Sequence, residues 1–414
     1  MNRLLILGSS EEFTKMTKFA VDRGIYTVVV DGSHDGEAKK YADKAYDVDI
    51  SNIDGINQII RYEKIDHILT SFSDNLFEYM IRYSSQNGLF CNCSVDKVDY
   101  LRDKFMMKQM LNELGIPNKK GQILKLDQFS EADVNLQYPF VVKPVDGWGS
   151  KGVHIVNNFQ QLCDIATESA SFAKKDSLIL LEELNIGYEM NIMSWIKDGG
   201  VTFLEFSDRE VYGGSEKEIP HYSRIIHPAF YREKIIERVR EYLKKVADYI
   251  GLNEGPLSTQ LFYNPQNDEI SIGEIVGRFF GFEQDLAEII NKVNVNTLLL
   301  NMAYDSKANE EEIKKYEAPD KHYSAVIYVK SKPGIVRDLG NAKRLLEHKN
   351  VYRATVYAYP GVDTSKIPLL AAIYARFDTR QEADTFTLKI YDEFYVPDLN
   401  GENLSVINKL PIYI

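Results

Sequence analysis

A lysine inside an apolar strand, followed by a loop of small residues, is the most chemically suggestive feature of this sequence. The stretch PFVVKPVDGWGSKGVHIV places Lys143 between valine and proline, and the loop after it contains Gly147, Gly149, Ser150 and Gly152. A buried ammonium is costly unless an anion pairs with it, and glycine N–H groups can approach an oxyanion closely. The stretch predicts a phosphate-binding loop, with an ordinary glycine hairpin as the simpler alternative. It lacks the Walker A pattern.

Two carboxylates flank a short connection in LLEELNIGYE, where Glu182 ends a predicted strand and Glu189 begins the next. Such a connection can offer backbone groups to an adenine edge while a carboxylate accepts the two ribose hydroxyls. Glutamates on hairpins are, however, usually solvated. This motif alone therefore indicates little.

The hairpin STQLFYNPQNDEISIGEIVGR is more informative because its turn, NPQND, fixes which residues face each other. Gln260 and Glu274 lie on antiparallel strands and are predicted to be opposite, with Arg278 four residues beyond Glu274. Side-chain oxygens combined with phosphate oxygens are the ligands that Mg²⁺ prefers, and an arginine stabilises developing negative charge. The hairpin predicts a metal site beside the phosphates.

The elements that must position these residues begin with a strand, turn, helix and strand from RLLILGSS to YTVVVD, which is typical of a parallel α/β sheet. Gly8 is not followed by the further glycines of a dinucleotide fingerprint. DHILTSFSD reads as a later strand of that sheet, with Asp74 at its end. A helix is predicted over DKVDYLRDKFMMKQMLNELGIP, with Leu101, Phe105, Met106 and Leu111 as its apolar stripe.

Further strands, a charged amphipathic helix capped by Gly251, and a charge-rich segment around SKANEEEIKKYEAPD follow. The remainder, from about His322, contains short strands and one helix. We predict three domains, covering residues 1–115, 116–310 with a lid subdomain over about 118–184, and 311–414.

Composition limits the partners of the chain. Its 414 residues carry 49 basic and 61 acidic side chains, a formal net charge of -12, so no basic face is expected for nucleic acid or an anionic membrane. Neither a signal peptide nor a membrane span is apparent. The 3 cysteines form neither a disulfide framework nor a zinc spacing. A soluble, cytoplasmic protein is the expectation.

Taken together, these motifs resemble the ATP-grasp superfamily of carboxylate–amine ligases, in the branch of biotin carboxylase, carbamoyl phosphate synthetase and the bacterial amino acid ligases. The resemblance covers nearly the whole chain in order, from LILGSS through DKFMMKQMLNELGIP, FVVKPVDGWGSKGV and LLEELNIGYE to QLFYNPQNDEISIGEIVGR. It implies a Rossmann-like first domain, a central ATP-grasp domain with a glycine-rich lid, and a small C-terminal α+β domain.

The resemblance also implies roles for single residues. Lys104 and Lys143 would contact the ATP phosphates, and Gly147, Gly149, Ser150 and Gly152 would form the lid. Glu182 would take the adenine amino group, the backbone at Glu183 and Leu184 would read the ring, and Glu189 would hold the ribose. Gln260 and Glu274 would bind Mg²⁺, or Mn²⁺, and Arg278 would face the reacting carboxylate. Without the resemblance, Lys104 would read as a solvated helix lysine.

Two departures from the family pattern concern the metal. Gln260 stands where glutamate is usual, and Val276 replaces the asparagine of Glu-Ile-Asn-Pro-Arg. Valine has no ligand atom, so either the second ion relies on Glu274, phosphate oxygens and water, or another side chain supplies the missing oxygen. A degenerate ATP-binding module without ligase activity is therefore an alternative.

The implied reaction activates a small carboxylate, an amino acid by preference, as an acyl phosphate and joins it to an amine. A purine-pathway enzyme acting on a phosphorylated ribotide is the alternative enzyme. His221, Arg224 and His227 lie where acceptors bind in this superfamily, and we expect them to be surface residues rather than substrate contacts. Relatives are often dimers through their first and last domains, so a homodimer is an expectation.

Overall fold

The computed structural model describes residues 1–127, 129–145, 151–173, 178–212, 221–281, 283–292, 294–316, 322–367 and 369–414. The strands are β1 (Arg3–Leu7), β2 (Tyr26–Asp31), β3 (Lys44–Asp47), β4 (His67–Leu69), β5 (Gly121–Lys125), β6 (Phe140–Pro144), β7 (His154–Val156), β8 (Leu178–Glu183), β9 (Tyr188–Lys197), β10 (Gly200–Tyr212), β11 (His221–His227), β12 (Glu254–Asn264), β13 (Glu269–Val276), β14 (Tyr323–Lys330), β15 (Val351–Val356) and β16 (Leu369–Phe377).

The α-helices are α1 (Thr14–Asp22), α2 (Ile53–Tyr62), α3 (Asp74–Gln86), α4 (Lys104–Glu113), α5 (Phe159–Ala170), α6 (Arg232–Ile250), α7 (Gln284–Asn291), α8 (Val295–Tyr304), α9 (Ala308–Lys314), α10 (Ala342–Leu346) and α11 (Arg380–Glu393). Short 3₁₀ turns cover Glu11–Phe13, Glu37–Tyr41, Val95–Leu101, Glu131–Asp133 and Thr364–Lys366. None of the helices described is long and apolar enough to cross a membrane.

The first sheet is parallel, with the strand order β3-β2-β1-β4. Residues Leu4, Leu5, Ile6 and Leu7 of β1 are all fully buried, as expected for a parallel strand covered on both faces. The α/β organisation predicted for the beginning of the chain is confirmed.

A second, antiparallel sheet has the order β5-β8-β6-β7, and α5 packs on it. Its small core contains Phe140, Val142, Leu162 and Leu181. This lid sheet carries Lys143 on β6 and Glu182 on β8.

The third sheet is antiparallel and has eight strands in the order β13-β12-β9-β10-β11-β14-β16-β15. Strand β11 pairs with β14 through four residue pairs, so hydrogen bonding continues across the predicted boundary at residue 310. This central sheet carries the hairpin of Gln260 and Glu274 near one edge. The mixed α/β and α+β fold class is confirmed, whereas the domain boundaries stay predictions.

The helix predicted around Lys104 is interrupted. A 3₁₀ turn over Val95–Leu101 is followed by Asp103, which caps α4 by accepting hydrogen bonds from the N–H groups of Phe105 and Met106 at 2.9 and 3.1 Å. Because of this break, residues before and after it do not share one helical face. The buried face is Met107, Met110 and Leu111, so the expected place of Phe105 and Met106 in the buried stripe was wrong, and both are only half-buried.

Candidate active site

A cavity of about 520 Å³ lies between the lid sheet and the central sheet. Its polar lining includes Lys104, Lys143, Lys151, Glu182, Glu189, Arg209, Gln260 and Glu274, and its apolar lining includes Val141, Ile155, Leu184 and Phe262. Apolar side chains from both sheets face a region bordered by cations. A flat aromatic group attached to a polyanion fits this distribution.

Lys143 pairs with a carboxylate of its own sheet. Its Nζ lies 2.9 Å from Glu182 Oε1, and Lys108 Nζ lies 2.5 Å from Glu182 Oε2. The Glu182 side chain is 4% exposed, and its two lysines keep its pKa low despite the opposing effect of burial. Two ammonium groups therefore share one carboxylate, and the excess positive charge can attract an anion. Both carboxylate oxygens contact lysines here, so an adenine contact of Glu182 stays a prediction.

Lys104 begins α4 at the edge of the same cavity. Its N–H donates to the carbonyl of Val145 at 3.1 Å, which joins the helix start to the end of β6. Burial lowers the pKa of Lys104, Glu274 opposes this effect, and Lys143 adds to it. A second anion, such as a phosphate, would favour the charged form.

The connection between β8 and β9 crosses from the lid sheet to the central sheet, and Leu184, Asn185, Gly187 and Tyr188 line the cavity there. Gly187 has φ +119°, and a Cβ at this position would lie 2.3 Å from the carbonyl oxygen of Tyr263. The chain can make this close crossing only with glycine. The side-chain carboxylate of Glu183 accepts a hydrogen bond from the N–H of Lys120 at 3.2 Å.

Glu189, the predicted ribose ligand, lines the cavity and already has a partner. Its Oε1 accepts a hydrogen bond from Arg209 at 2.8 Å, and the Arg209 guanidinium lies 3.5 Å from the centre of the Tyr222 ring. Burial raises the pKa of Glu189, while Arg209 acts in the opposite direction. Arg209 and a further side-chain hydrogen bond to Tyr222 hold the Glu189 carboxylate in place, and its contact with a ribose stays a prediction.

The register of β12 and β13 pairs Gln260 with Glu274, as predicted. Both side chains line the cavity, and neither hydrogen-bonds to another side chain within the described ranges. Val276 is 2% exposed and pairs with Ser258, so it adds no oxygen. No group of three His, Cys, Asp or Glu side chains suited to a metal occurs in the part of the chain that the structure describes. The side-chain oxygens of Gln260 and Glu274 fit a Mg²⁺ ion whose remaining ligands would be phosphate and water.

Arg278 is held by the carboxylate of Asp74, at the start of α3. Its guanidinium donates two hydrogen bonds of 2.6 Å to Asp74 and one of 3.0 Å to the carbonyl of Phe279. Asp74 begins α3 rather than ending a strand. The bidentate pair fixes the guanidinium plane, and the contact of Arg278 with a substrate stays a prediction.

The expected surface position of Arg224 and His227 was wrong. Arg224 is 1% exposed and donates to Glu210 at 2.7 and 2.9 Å and to Asp384 at 2.7 Å. His227 is 3% exposed, and its Nδ1 accepts from the N–H of Phe206. Both point into the protein because their strand is central in the large sheet. The side chain of His221 lies outside the described residues.

The lid loop is only partly within the described ranges. Gly147, Gly149 and Ser150 fall outside them, whereas Gly152 has φ +67° and its carbonyl accepts from Ser169 of α5 at 2.7 Å. Gly152 therefore anchors the end of the loop on the helix. Its expected part in covering a ligand stays a prediction.

Sequence reasoning missed several residues of the site. Lys108 lies four residues after Lys104, and this helical spacing could have indicated it. Arg209 follows from no motif in the sequence, and neither does Tyr413, which lines the cavity from far along the chain. Only the tertiary fold brings these two to the site.

The profile of the ATP-grasp domain matches residues 136–283. The chain is 23% identical over 210 residues to a D-alanine–D-alanine ligase of Wolbachia pipientis wMel, a match that covers 49% of this chain and 65% of that relative. The chain thus spans less than two thirds of that relative's length.

Solved structures extend the likeness to almost the whole chain. An L-amino acid ligase from Bacillus licheniformis is similar with a TM-score of 0.80 and 17% identity, over 97% of this chain and 99% of that one. The ADP complex of an N5-carboxyaminoimidazole ribonucleotide synthetase is similar with a TM-score of 0.70 and 15% identity, over 95% and 97%. At such identities these likenesses establish the fold.

Proposed function

We propose that the chain, whose residues 136–283 match the ATP-grasp domain, activates a small carboxylate, preferably an amino acid, with ATP and joins it to an amine. The observation that carries this proposal is a single cavity in which Lys104 and Lys143 approach the facing pair of Gln260 and Glu274. A polyphosphate and a divalent ion need these groups together. The similarity to amino acid ligases supports the substrate class.

In the first step a carboxylate oxygen of the substrate attacks the γ-phosphorus of ATP. The bond from that phosphorus to the bridging oxygen breaks, and ADP leaves with that oxygen. Lys104 and Lys143 would offset the charge on the phosphate oxygens during transfer. A Mg²⁺ or Mn²⁺ ion held by Gln260 and Glu274 would supply further charge stabilisation when bound.

In the second step the nitrogen of the amine attacks the acyl carbon, giving a tetrahedral oxyanion. Phosphate then leaves with the oxygen that joined it to carbon, and the nitrogen loses a proton to give the amide. Arg278, oriented by Asp74, is our candidate for stabilising the oxyanion. A closed lid would keep water from the acyl phosphate.

The test is phosphate release from Mg-ATP by the purified protein, with a panel of amino acids and amines offered singly and in pairs. A phosphorylated ribotide amine belongs in the panel, because the fold is shared with a ribonucleotide synthetase. Release that requires one acid and one amine supports the ligase. ADP binding without phosphate release for any pair would favour the degenerate module. This alternative is considered because Val276 has no side-chain oxygen. A protein that binds neither ATP nor ADP contradicts the proposal.

A further inference from the structure

The segment over residues 411–413 lines the same cavity as the β8–β9 connection. Pro411 and Tyr413 face the cavity together with Leu184 and Tyr188. The side chain of Ile412 between them is 83% exposed. This alternation is that of an extended chain with one face turned to the site. The segment lies outside the matched ATP-grasp domain, which ends at residue 283.

Aromatic contacts fix the position of this tail segment. The Tyr413 ring stacks on Tyr188 at 4.8 Å and 18° and on Phe230 at 4.7 Å and 22°. The Tyr188 hydroxyl donates to the carbonyl of Ile412 at 2.8 Å, although 224 residues separate them. The tail is thereby attached to the residue that immediately follows the β8–β9 connection.

A polar contact attaches the same ring to the central sheet. The Tyr413 hydroxyl donates to Glu210 Oε1 at 2.8 Å, and Arg380 of α11 lies 4.8 Å from the ring centre. Glu210 is itself bound by Arg224 and Arg380. The Tyr413 side chain is therefore held on three sides by groups that the fold already orders.

We propose that Pro411 and Tyr413 form a wall of the nucleotide site and that Tyr413 binds the base and ribose end of ATP. This inference rests on the proposed function. Lys104 and Lys143 attract the phosphates, whereas Tyr188 follows the β8–β9 connection, where the base is expected, and Tyr413 stacks on Tyr188. A tail far outside the ATP-grasp domain thus contributes to nucleotide affinity.

The experiment measures ADP affinity by titration calorimetry for the wild type and for Tyr413→Ala, with Ile412→Ala as the matched control in the same tail. We expect Tyr413→Ala to weaken ADP binding by about three- to tenfold, since an aromatic contact is removed. Ile412→Ala should leave it unchanged, because that side chain points to solvent. Inorganic tripolyphosphate has no base. Its affinity, measured by competition with ADP, should therefore be the same for the wild type and Tyr413→Ala.

Each outcome of these titrations supports or overturns the inference. Equal ADP affinity of wild type and Tyr413→Ala overturns the inference and leaves the proposed function standing. Equal weakening of ADP and tripolyphosphate also overturns it, because a general structural change would then be the cause. Melting temperatures of the free variants identify misfolding, and if Tyr413→Ala misfolds, Pro411→Ala provides the same comparison. Wild-type protein that binds no ADP overturns both the inference and the proposed function.

Discussion

At the scale of single residues, the site depends on an imbalance of charge. Lys143 and Lys108 share Glu182, and Lys104 and Lys151 add two further cations to the cavity. The sequence identified Lys143 and Glu182 separately, from a polar residue within an apolar strand and from a glutamate at a strand end. It could not show that they pair, because the register of β6 and β8 decides that.

Replacement of Lys143 tests the charge argument. Lys143→Ala should lower ATP turnover by about 100-fold or more, because a group that stabilises developing phosphate charge is lost. Lys125 lies on β5 of the same sheet and is exposed, so Lys125→Ala is the control and should retain activity. Phosphate release under saturating substrates measures both variants. Undiminished turnover by Lys143→Ala would remove Lys143 from the mechanism.

A second substitution concerns the metal. Gln260→Glu should raise Mn²⁺ affinity in the presence of ADP by about tenfold, since a charged oxygen replaces a neutral one beside Glu274. Gln260→Leu should lower the Mn²⁺ affinity. Electron paramagnetic resonance of free Mn²⁺ measures both. Equal affinities for the two variants would show that this side chain does not coordinate the ion.

At the scale of elements, the β8–β9 connection explains how the two walls of the cavity are joined. The sequence predicted two strands joined by a short connection between Glu182 and Glu189, and both strands exist. They belong to different sheets, however, and do not pair with each other. Local patterns give the type of an element, whereas its partner depends on residues distant in sequence. The hairpin of β12 and β13 was predictable because a short turn sets its register.

Gly187→Ala tests the crossing between the sheets. The new Cβ would collide with the Tyr263 carbonyl at 2.3 Å, and φ is +119°. We expect a loss of about 2–3 kcal/mol in the free energy of unfolding. Gly199→Ala is the control, because Gly199 has φ +75° but no atom within 4 Å of its Cβ position; it should lose about 1 kcal/mol. Urea denaturation compares them, and equal losses would contradict the steric argument.

At the scale of the whole molecule, a buried ion network joins the large sheet to α11. Arg224 binds Glu210 and Asp384, while Arg380 binds Asp208 at 2.8 Å and also contacts Glu210. From the sequence, Arg224 was predicted only as a surface residue or a substrate contact. Its true partners lie 14 and 160 residues away, and no local pattern connects them.

Asp208 makes this network sensitive to pH. Burial raises the pKa of Asp208 from 3.8 to about 6, although Arg380 acts in the opposite direction. Because the folded pKa is the higher one, the stability associated with the protonated carboxyl is present below about pH 4 and is lost as the pH rises through about 6. Relative to that of Asp208→Asn, the free energy of unfolding of the wild type should therefore fall by up to about 3 kcal/mol between these two pH values. Urea denaturation across this range measures the difference, and a constant difference would contradict the assignment.

The pairing of β11 with β14 has a consequence for modularity. A cut between the matched ATP-grasp domain and the C-terminal region would expose a hydrogen-bonding edge on each fragment, four residue pairs long. Exposed strand edges promote association with other chains. The C-terminal region therefore cannot be exchanged as an independent cassette between relatives unless the recipient supplies a matching edge strand. Recombination and fusion designs should place their junctions before β5 instead.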